Sequence, residues 1–392
     1  MKKAIVCFIV SINCTLAFSQ VPELIKDIYA GGSGIDIYNP VATEYNGRAF
    51  FGGTEDANGT ELWATDGTDA GTVMIKDIWS GQGSSFPRRI TVYNGKLIFS
   101  AYDPLDGEEL WTSDGTDAGT YLLKDINPGI ASGSPAGFTL YNNKLYFSAN
   151  DGTHGYEVWV TDGTAAGTFM LKDINAGSGF SFPSGYIVFN GQLCFSASDN
   201  THGYEFWVTD GSTSGTHMLL DINPGINDGY PYPQDRKIYN GKLYLSASNG
   251  TDGFELWSTD GSVAGTQMVA DIYPGTGGSY PAHLIVHNNL LFFTATDNLH
   301  GNELWASNGT VEGTQMVKDI KPGVPGGVTS YMTIYNGKLF FAASDGVNGT
   351  ELWSSDGTAA GTNMTSDLMQ GSDNSSPVNL TVYNDKLYFI AR

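Results

Sequence analysis

The stretch "ELWATDGTDAGTVMIKDI" at residues 61–78 decides the fold, because close copies of it recur along the chain. Residues 109–126 read "ELWTSDGTDAGTYLLKDI", and residues 157–174 read "EVWVTDGTAAGTFMLKDI". The glutamate that opens each copy returns every 48 residues, with a single interval of 50. It stands at Glu61, Glu109, Glu157, Glu205, Glu255, Glu303 and Glu351. A period of about 40–50 residues with strand-like segments is typical of propeller blades.

One repeat reads as four short strands. "FTLYNNKLYFSAN" at 138–150 predicts strands A and B, joined at Asn142-Asn143 by a hairpin turn of type I′, because Asn accepts positive φ. Strand C follows as "EVWVT" and strand D as "TFMLKDI", with the turn "DGTAAG" between them. We therefore expect an all-β propeller with blades of about 48 residues and strand order A-B-C-D.

The two ends of the chain carry incomplete repeats. A lone D strand, "ELIKDI", occupies residues 23–28, and a lone A–B pair, "LTVYNDKLYFIA", occupies residues 380–391. Together they predict a composite eighth blade without strand C, which would remove open sheet edges. A ring of seven blades with overhanging strands is the alternative, as is a chain cut short of a longer protein.

The N-terminus predicts export. Lys2 and Lys3 precede an apolar run over residues 4–10, and small residues lead to a cleavage site near Ser19. We expect residues 1–19 to be a signal peptide and residues 20–392 a single propeller domain, secreted, periplasmic or at the cell surface. Cleavage leaves Cys194, in a strand pattern, which we expect to be a buried small hydrophobe.

The charge balance limits the partners. With 41 acidic and 19 basic residues, the net charge of −22 repels nucleic acid and anionic lipid. After the signal peptide, no apolar run approaches the roughly 20 residues that span a bilayer. We expect a monomer that neither inserts into a membrane nor binds nucleic acid. Neutral glycans, cations and basic partners remain open.

The repeated motif resembles that of a bacterial family of secreted proteins named for ELWxxDGT repeats. The copies read "ELWATDGT", "ELWTSDGT", "ELWSTDGS", "ELWASNGT" and "ELWSSDGT", and the resemblance covers nearly all of residues 22–392. Two copies depart at the second position, with Val158 and Phe206, and one replaces the turn Asp by Asn308. The resemblance implies an exported repeat protein, often associated with the cell surface. It supplies no catalytic residue.

The repeated side chains are expected to build the scaffold. Each strand-C Trp would bury on the order of 200 Å² between neighbouring blades. The strand-C Glu and the turn Asp would satisfy backbone N–H groups, as in Asx-turns. Catalysis needs carboxyl groups in unlike environments, whereas these are copies, so we expect no catalytic residue. No cofactor is expected; calcium, which prefers oxygen ligands, stays an alternative.

The variable B–C and D–A loops lie at one end of the predicted sheets and are where a repeat scaffold builds a site. Their aromatic rings, amides and carboxylates suit sugars, which present both C–H faces and hydroxyls. The candidate ligand-binding residues are Tyr230, Tyr232, His202, Tyr204, Asp199, His154, Tyr156 and Asp151. We expect a non-enzymatic binding or adhesion propeller that recognises extracellular glycan or a surface protein. A polysaccharide lyase or hydrolase, or a purely structural repeat protein, are the alternatives.

Overall fold

A computed structural model describes residues 25–29, 34, 42–230, 235–324, 326–328 and 332–391. The expected signal peptide and Tyr232 lie outside these residues. The chain divides into two compact units, Met1–Pro183 and Ser184–Arg392, which we call the N-terminal and C-terminal units. The described residues form strands and turns, without a helix.

Seven four-stranded antiparallel sheets and one two-stranded sheet make up the described structure. Sheets 1 to 3 of the N-terminal unit contain β1 (Thr43–Tyr45), β2 (Arg48–Glu55), β3 (Gly59–Thr65), β4 (Val73–Lys76); β5 (Arg88–Tyr93), β6 (Lys96–Asp103), β7 (Gly107–Ser113), β8 (Tyr121–Lys124); β9 (Ala136–Tyr141), β10 (Lys144–Asn150), β11 (Tyr156–Thr161) and β12 (Phe169–Lys172).

The C-terminal unit continues with sheets 4 to 7 and a terminal hairpin. They contain β13 (Ser184–Phe189), β14 (Gln192–Ser198), β15 (Tyr204–Thr209), β16 (His217–Leu220); β17 (Arg236–Tyr239), β18 (Lys242–Ser248), β19 (Phe254–Thr259), β20 (Gln267–Ala270); β21 (Ala282–His287), β22 (Leu290–Asp297), β23 (Gly301–Ser307), β24 (Gln315–Lys318); β25 (Thr333–Tyr335), β26 (Lys338–Ser344), β27 (Thr350–Ser355), β28 (Asn363–Ser366); and the hairpin strands β29 (Val378–Tyr383) and β30 (Lys386–Ile390).

Each four-stranded sheet keeps its strands in chain order, as the A-B-C-D interpretation predicts. The A–B turns adopt positive φ at both central residues: 46° and 56° at Asn142 and Asn143. This geometry is that of a type I′ turn, whose twist matches the flanking strands. The repeated unit is therefore a propeller-like blade, and the expected hairpin chemistry is confirmed.

Tryptophan packing joins consecutive sheets within each unit. All seven strand-C Trp side chains are at most 9% exposed. Trp111 of sheet 2 packs in one cluster with Leu62 and Ile75 of sheet 1, and Trp305 of sheet 6 packs in the same way with Leu256 of sheet 5. The prediction of buried Trp between neighbouring blades is confirmed for these pairs.

The repeated acids hold the turns. Oδ1 of Asp66 accepts hydrogen bonds from the amide and the hydroxyl of Thr68 at 2.9 and 2.7 Å. Glu61 is 0% exposed and accepts from the Ile78 amide and from the amide and hydroxyl of Ser85. Both residue types thus satisfy backbone donors, as expected for scaffold residues. Cys194 is buried as predicted, and burial raises its thiol pKa to about 12.

Two expectations about strands differ from the structure. Strand B is buried as predicted, but strand D exposes its first residue, with Tyr121 and Phe169 each 44% exposed. Strand D is the last strand of each four-stranded sheet, and in β8 and β12 its side chains run from exposed at the first residue to buried at the third. The predicted N-terminal strand is absent from residues 25–29; residues 23 and 24 lie outside the described part.

The two end segments follow the repeat in other respects. The Lys26 ammonium donates to the carbonyl of Thr72 at 3.0 Å, as Lys318 of strand D does to Thr362 at 2.7 Å. The Tyr335 hydroxyl donates a hydrogen bond to the carbonyl of Asp385, in the turn of the terminal hairpin, at 2.9 Å. Among the described residues, no helix has the length and apolar character needed to cross a membrane.

Candidate functional site

The B–C and D–A loops of sheet 3 meet at the start of strand C. The amides of Ser181 and Phe182 both donate to the carbonyl of Tyr156, at 3.0 and 3.1 Å. Gly155, with φ of 74°, permits the approach, because a Cβ there would lie 2.0 Å from the carbonyl oxygen of Gly179. The backbone therefore brings two loops 25 residues apart into contact.

Glu157 fixes the D–A loop by accepting hydrogen bonds from it. Its carboxylate accepts hydrogen bonds from the amides of Ile174 and Asn175, at 2.7 and 3.2 Å, and from the Ser181 hydroxyl at 2.7 Å. The side chain is 0% exposed, and this burial raises the pKa of Glu157 to about 7 against the opposing effect of the hydrogen bonds. The repeated Glu thus positions a loop whose own side chains vary.

Three aromatic rings gather above this support, and we call Tyr156, Phe180 and Phe182 the aromatic shelf. Tyr156 and Phe182 stack with ring centroids 5.3 Å apart, and Phe180 lies 5.3 Å from Phe182 and 6.0 Å from Tyr156. Phe180 and Phe182 are 46% and 44% exposed. The shelf therefore presents apolar ring surface to solvent instead of burying it.

A hydrogen-bonded Asp–His pair precedes the shelf in the B–C loop. Nδ1 of His154 lies 2.7 Å from Oδ2 of Asp151, whose Oδ1 accepts from the amides of Thr153 and His154. The contact with Asp151 raises the pKa of His154. Burial raises the pKa of Asp151, but the hydrogen bonds from His154 and Thr153 outweigh it and hold that pKa below its usual value. The pair supplies an oriented imidazole that is about a third exposed, at 36%.

Other D–A loops repeat the backbone of Phe182 with an aromatic or a serine side chain. The residue before the loop proline has φ of 45° at Phe86, 47° at Ser134, 48° at Tyr280 and 45° at Ser376. Tyr280 is 56% exposed and stacks on Phe254, with centroids 5.6 Å apart. Aromatic and serine residues thus occupy the same outward position, so the ring is not required by the fold.

The fourth repeat departs from this arrangement. Its Asp199–His202 pair has the same 2.7 Å contact, and Tyr204 occupies the position of Tyr156. Tyr230, however, is only 1% exposed and packs edge-on against Phe206 in the core. The interpretation of Tyr230 as a ring for sugar stacking is therefore wrong, because that ring is not accessible. Tyr232 lies outside the described residues.

The structure pairs Asp151 with His154 and, two residues further along the chain, places Tyr156 against Phe180 and Phe182. These two phenylalanines were visible in the sequence as D–A loop aromatics, but their contact with Tyr156 depends on the fold. Asp199, His202 and Tyr204 share the equivalent place in sheet 4 without an exposed ring partner in the described residues. Within that same described part of the chain, no group of three or more His, Cys, Asp and Glu side chains is arranged to hold a metal ion.

Comparisons with known proteins do not assign this chain to a family. No protein family and no curated protein matches the sequence. The chain is similar to a computationally designed protein, Ika8, at 14% identity over 93% of this chain and 95% of that one, with a TM-score of 0.46.

Two enzymes have comparable similarity. A prolyl endopeptidase structure shares 12% identity over 83% of this chain and 49% of its own, with a TM-score of 0.45. A puromycin hydrolase shares 11% identity over 92% of this chain and 58% of its own, with a TM-score of 0.40. The chain spans about half the length of these enzymes. Identities and TM-scores this low assign no activity to it.

Proposed function

We propose that this protein is an exported, non-enzymatic binding protein that recognises extracellular glycan through the aromatic shelf. The observation that carries the proposal is the exposure of Phe180 and Phe182, at 46% and 44%, in a cluster fixed by Tyr156. Covering exposed apolar surface with a ligand removes it from water, which favours binding. The C–H face of a sugar ring can stack on these aromatic rings and cover their apolar surface.

The backbone at Phe182 belongs to the scaffold and does not mark the site. Its φ of 43° is close to the values of 45° at Phe86, 47° at Ser134, 48° at Tyr280 and 45° at Ser376. What distinguishes the shelf is therefore its side chains, since the Phe182 ring stacks on Tyr156 and remains 44% exposed.

The polar side of the proposed site is the Asp151–His154 pair. Sugar hydroxyls both donate and accept hydrogen bonds, and the pair offers an imidazole and a carboxylate in fixed orientation. The net charge of −22 favours neutral glycans over strongly acidic ones at this site.

We further propose that the repeats form a β-propeller of eight blades, with residues 23–28 joining the terminal hairpin. The resemblance to the ELWxxDGT repeat family and the export signal belong to the same proposal. The contact of Lys26 with Thr72, equivalent to that of Lys318 with Thr362, supports a D-strand role for the N-terminal segment. Deleting residues 20–28 is expected to lower the melting temperature by many degrees, and an unchanged melting curve would reject the closure.

A glycan array with two matched variants tests the binding function. Phe182→Ser gives the third D–A loop the residue that the second loop carries at Ser134, with nearly the same φ. We expect the wild-type protein to bind one class of glycan and Phe182→Ser to bind it about 5- to 150-fold more weakly, since each lost stacked ring is worth about 1–3 kcal/mol. Ser134→Ala is the control, and its binding should equal that of the wild type.

Three outcomes would count against glycan recognition. The first is equal binding by the wild-type and Phe182→Ser proteins. The second is the absence of glycan binding together with capture of a surface protein through the shelf. The third is turnover of a polysaccharide by the wild-type protein, which would favour the hydrolase or lyase alternative.

A further inference from the structure

The C-terminal unit has a cavity of about 250 Å³ at the start of strand A in sheets 5 and 6. Its polar lining comes from Asp235, Arg236 and Lys237 at the start of sheet 5 and from His283 of sheet 6, with Met332 on its apolar side. The cavity lies on strand A, not on the loops of sheet 3 that form the aromatic shelf. Convergent polar groups in a partly apolar cavity are the usual composition of a ligand site.

Arg236 breaks the repeat at its position. The third residue before the end of strand A is Ile90 in sheet 2, Phe138 in sheet 3, Tyr186 in sheet 4, Leu284 in sheet 6 and Met332 in sheet 7. These residues are uncharged and, apart from the Tyr186 hydroxyl, apolar, and the chain has only five arginines among its 392 residues. An arginine here is not explained by the requirements of the blade.

The guanidinium of Arg236 has few acceptors. Its Nη2 donates to the carbonyl of Tyr186 at 3.0 Å, while Nε and Nη1 are buried and have no hydrogen-bond partner in the described part of the chain. By contrast, Arg89 of sheet 2 forms an ion pair with Glu108 at 3.2 Å. Buried charged donors without an acceptor are costly, so the Arg236 site favours an anion that accepts from Nε and Nη1.

The neighbouring groups leave the lining positive. Oδ1 of Asp235 accepts a hydrogen bond from the backbone amide of His283 at 2.9 Å. One oxygen of this carboxylate is therefore already bound to the backbone. Burial lowers the pKa of His283 against the opposing effect of Asp235, so the imidazole is neutral near pH 7. Arg236 and Lys237 then provide two positive charges against the one negative charge of Asp235. This is a local reversal in a protein whose net charge is −22.

We propose that this cavity binds the anionic group, a carboxylate or a sulfate, of an acidic sugar. The planar guanidinium of Arg236 suits the oxygen geometry of both groups, and Lys237 adds a flexible ammonium at the cavity edge. Met332 and Leu284 offer apolar surface to the C–H groups of the sugar ring. The site is separate from the aromatic shelf and does not depend on its function.

Calorimetric titration with three trisaccharides tests the proposal: galacturonate, sulfated galactose and neutral galactose. The variants are Arg236→Leu, which installs the residue of sheet 6, and Lys237→Thr, which installs the residue found at Thr91 and Thr139. Lys242→Gln removes one positive charge from the same sheet and is the control. We expect Arg236→Leu to weaken binding of an acidic probe at least about tenfold, Lys237→Thr to weaken it less, and Lys242→Gln to leave it unchanged.

Tighter binding of either acidic trisaccharide than of the neutral one supports the site. The comparison of the two acidic trisaccharides then shows whether a carboxylate or a sulfate fits better. Phe182→Ser should retain acidic binding in full, which separates this site from the shelf. If Arg236→Leu does not fold, Lys237→Thr and the dependence of affinity on added salt provide the test. Equal affinity for acidic and neutral probes, or full acidic binding by a folded Arg236→Leu protein, would overturn the proposal.

Discussion

The loops of the third and fourth repeats share nearly every feature except the direction of one ring. Both carry an Asp–His pair with a 2.7 Å contact, and both place a Tyr directly before a buried Glu. At the residue before the loop proline, Phe182 is 44% exposed, whereas Tyr230 is 1% exposed. One scaffold therefore yields an open aromatic surface in one repeat and core packing in the next.

The residue that precedes the ring differs between the two loops. Ser181 donates its hydroxyl to Glu157 at 2.7 Å, whereas Gly229 has no side chain to make that bond. Instead, the carbonyl of Tyr230 accepts from the Ser196 hydroxyl at 2.7 Å, and its ring packs against Phe206. The difference teaches that the repeated residues build the support, while unrepeated ones decide what the support presents.

Removing the supporting carboxylates should have the largest effect. We expect Glu157→Ala and Glu205→Ala each to lower the free energy of unfolding by about 3–5 kcal/mol, because each leaves several buried amide donors without an acceptor. Chemical denaturation measures this loss. Glycan binding by the folded fraction should fall only in Glu157→Ala, since that residue holds the shelf. Equal loss of binding in both variants would show that the two loops do not differ in function.

Truncating the two rings should separate packing from presentation. Tyr230→Ala removes a buried ring and should cost about 3–4 kcal/mol of stability, with shelf binding unchanged. Phe182→Ala removes an exposed ring and should change stability by less than about 1 kcal/mol while weakening binding. Thermal melting and glycan titration of the same two samples give both quantities. A reversed pattern, with Phe182→Ala the more destabilised, would contradict the assignment of the rings.

A change of pH should alter the stability of six of the seven repeats by a smaller amount. Burial raises the pKa of six strand-C glutamates, to about 7 for Glu61, Glu157 and Glu303, to about 8 for Glu109 and Glu205, and upward for Glu255. A carboxyl with a raised folded pKa stabilises fully below its unfolded pKa near 4.5, and this stabilisation is lost as pH rises through about 7–8.

The melting temperature should therefore fall as the pH rises from 5 to 8. The histidines of the Asp–His pairs act in the same direction, because their pKa values are also raised by their aspartates. A buffer series measured by thermal melting checks the sign. The matched control is Glu351→Gln. Burial raises the pKa of Glu351, but hydrogen bonds from Ser375 and Leu368 outweigh it and lower that pKa, so this variant should show the same fall in melting temperature as the wild type. A melting temperature that rises over this range would contradict the expected protonation.

Much of the scaffold follows from local sequence. The Asn142-Asn143 turn needs positive φ, the Asp66 carboxylate needs nearby turn donors, and Trp111 needs an apolar neighbour at a fixed period. Each requirement is set by a few adjacent residues or by the repeat itself. These features were therefore predictable without coordinates.

The sites depend on contacts that the repeat does not encode. Phe182 meets Tyr156 across a separation of 26 residues, and Tyr230 turns inward to pack against Phe206. Arg236 carried a visible signal, an arginine at an apolar repeat position, but its cavity forms only where sheets 5 and 6 meet. Tertiary contacts set the direction of side chains in loops. The sequence alone therefore indicated these residues but not which of them face solvent.

The most direct test of the central claim is saturation-transfer NMR between the aromatic rings and a bound glycan. Saturating the aromatic protons of the wild-type protein should transfer magnetisation to the C–H protons of one sugar face. The transfer should disappear in Phe182→Ser and persist in Tyr230→Phe, whose buried ring remains in place. Binding of the glycan without transfer from the aromatic rings, or transfer that survives in Phe182→Ser, would contradict recognition by the aromatic shelf.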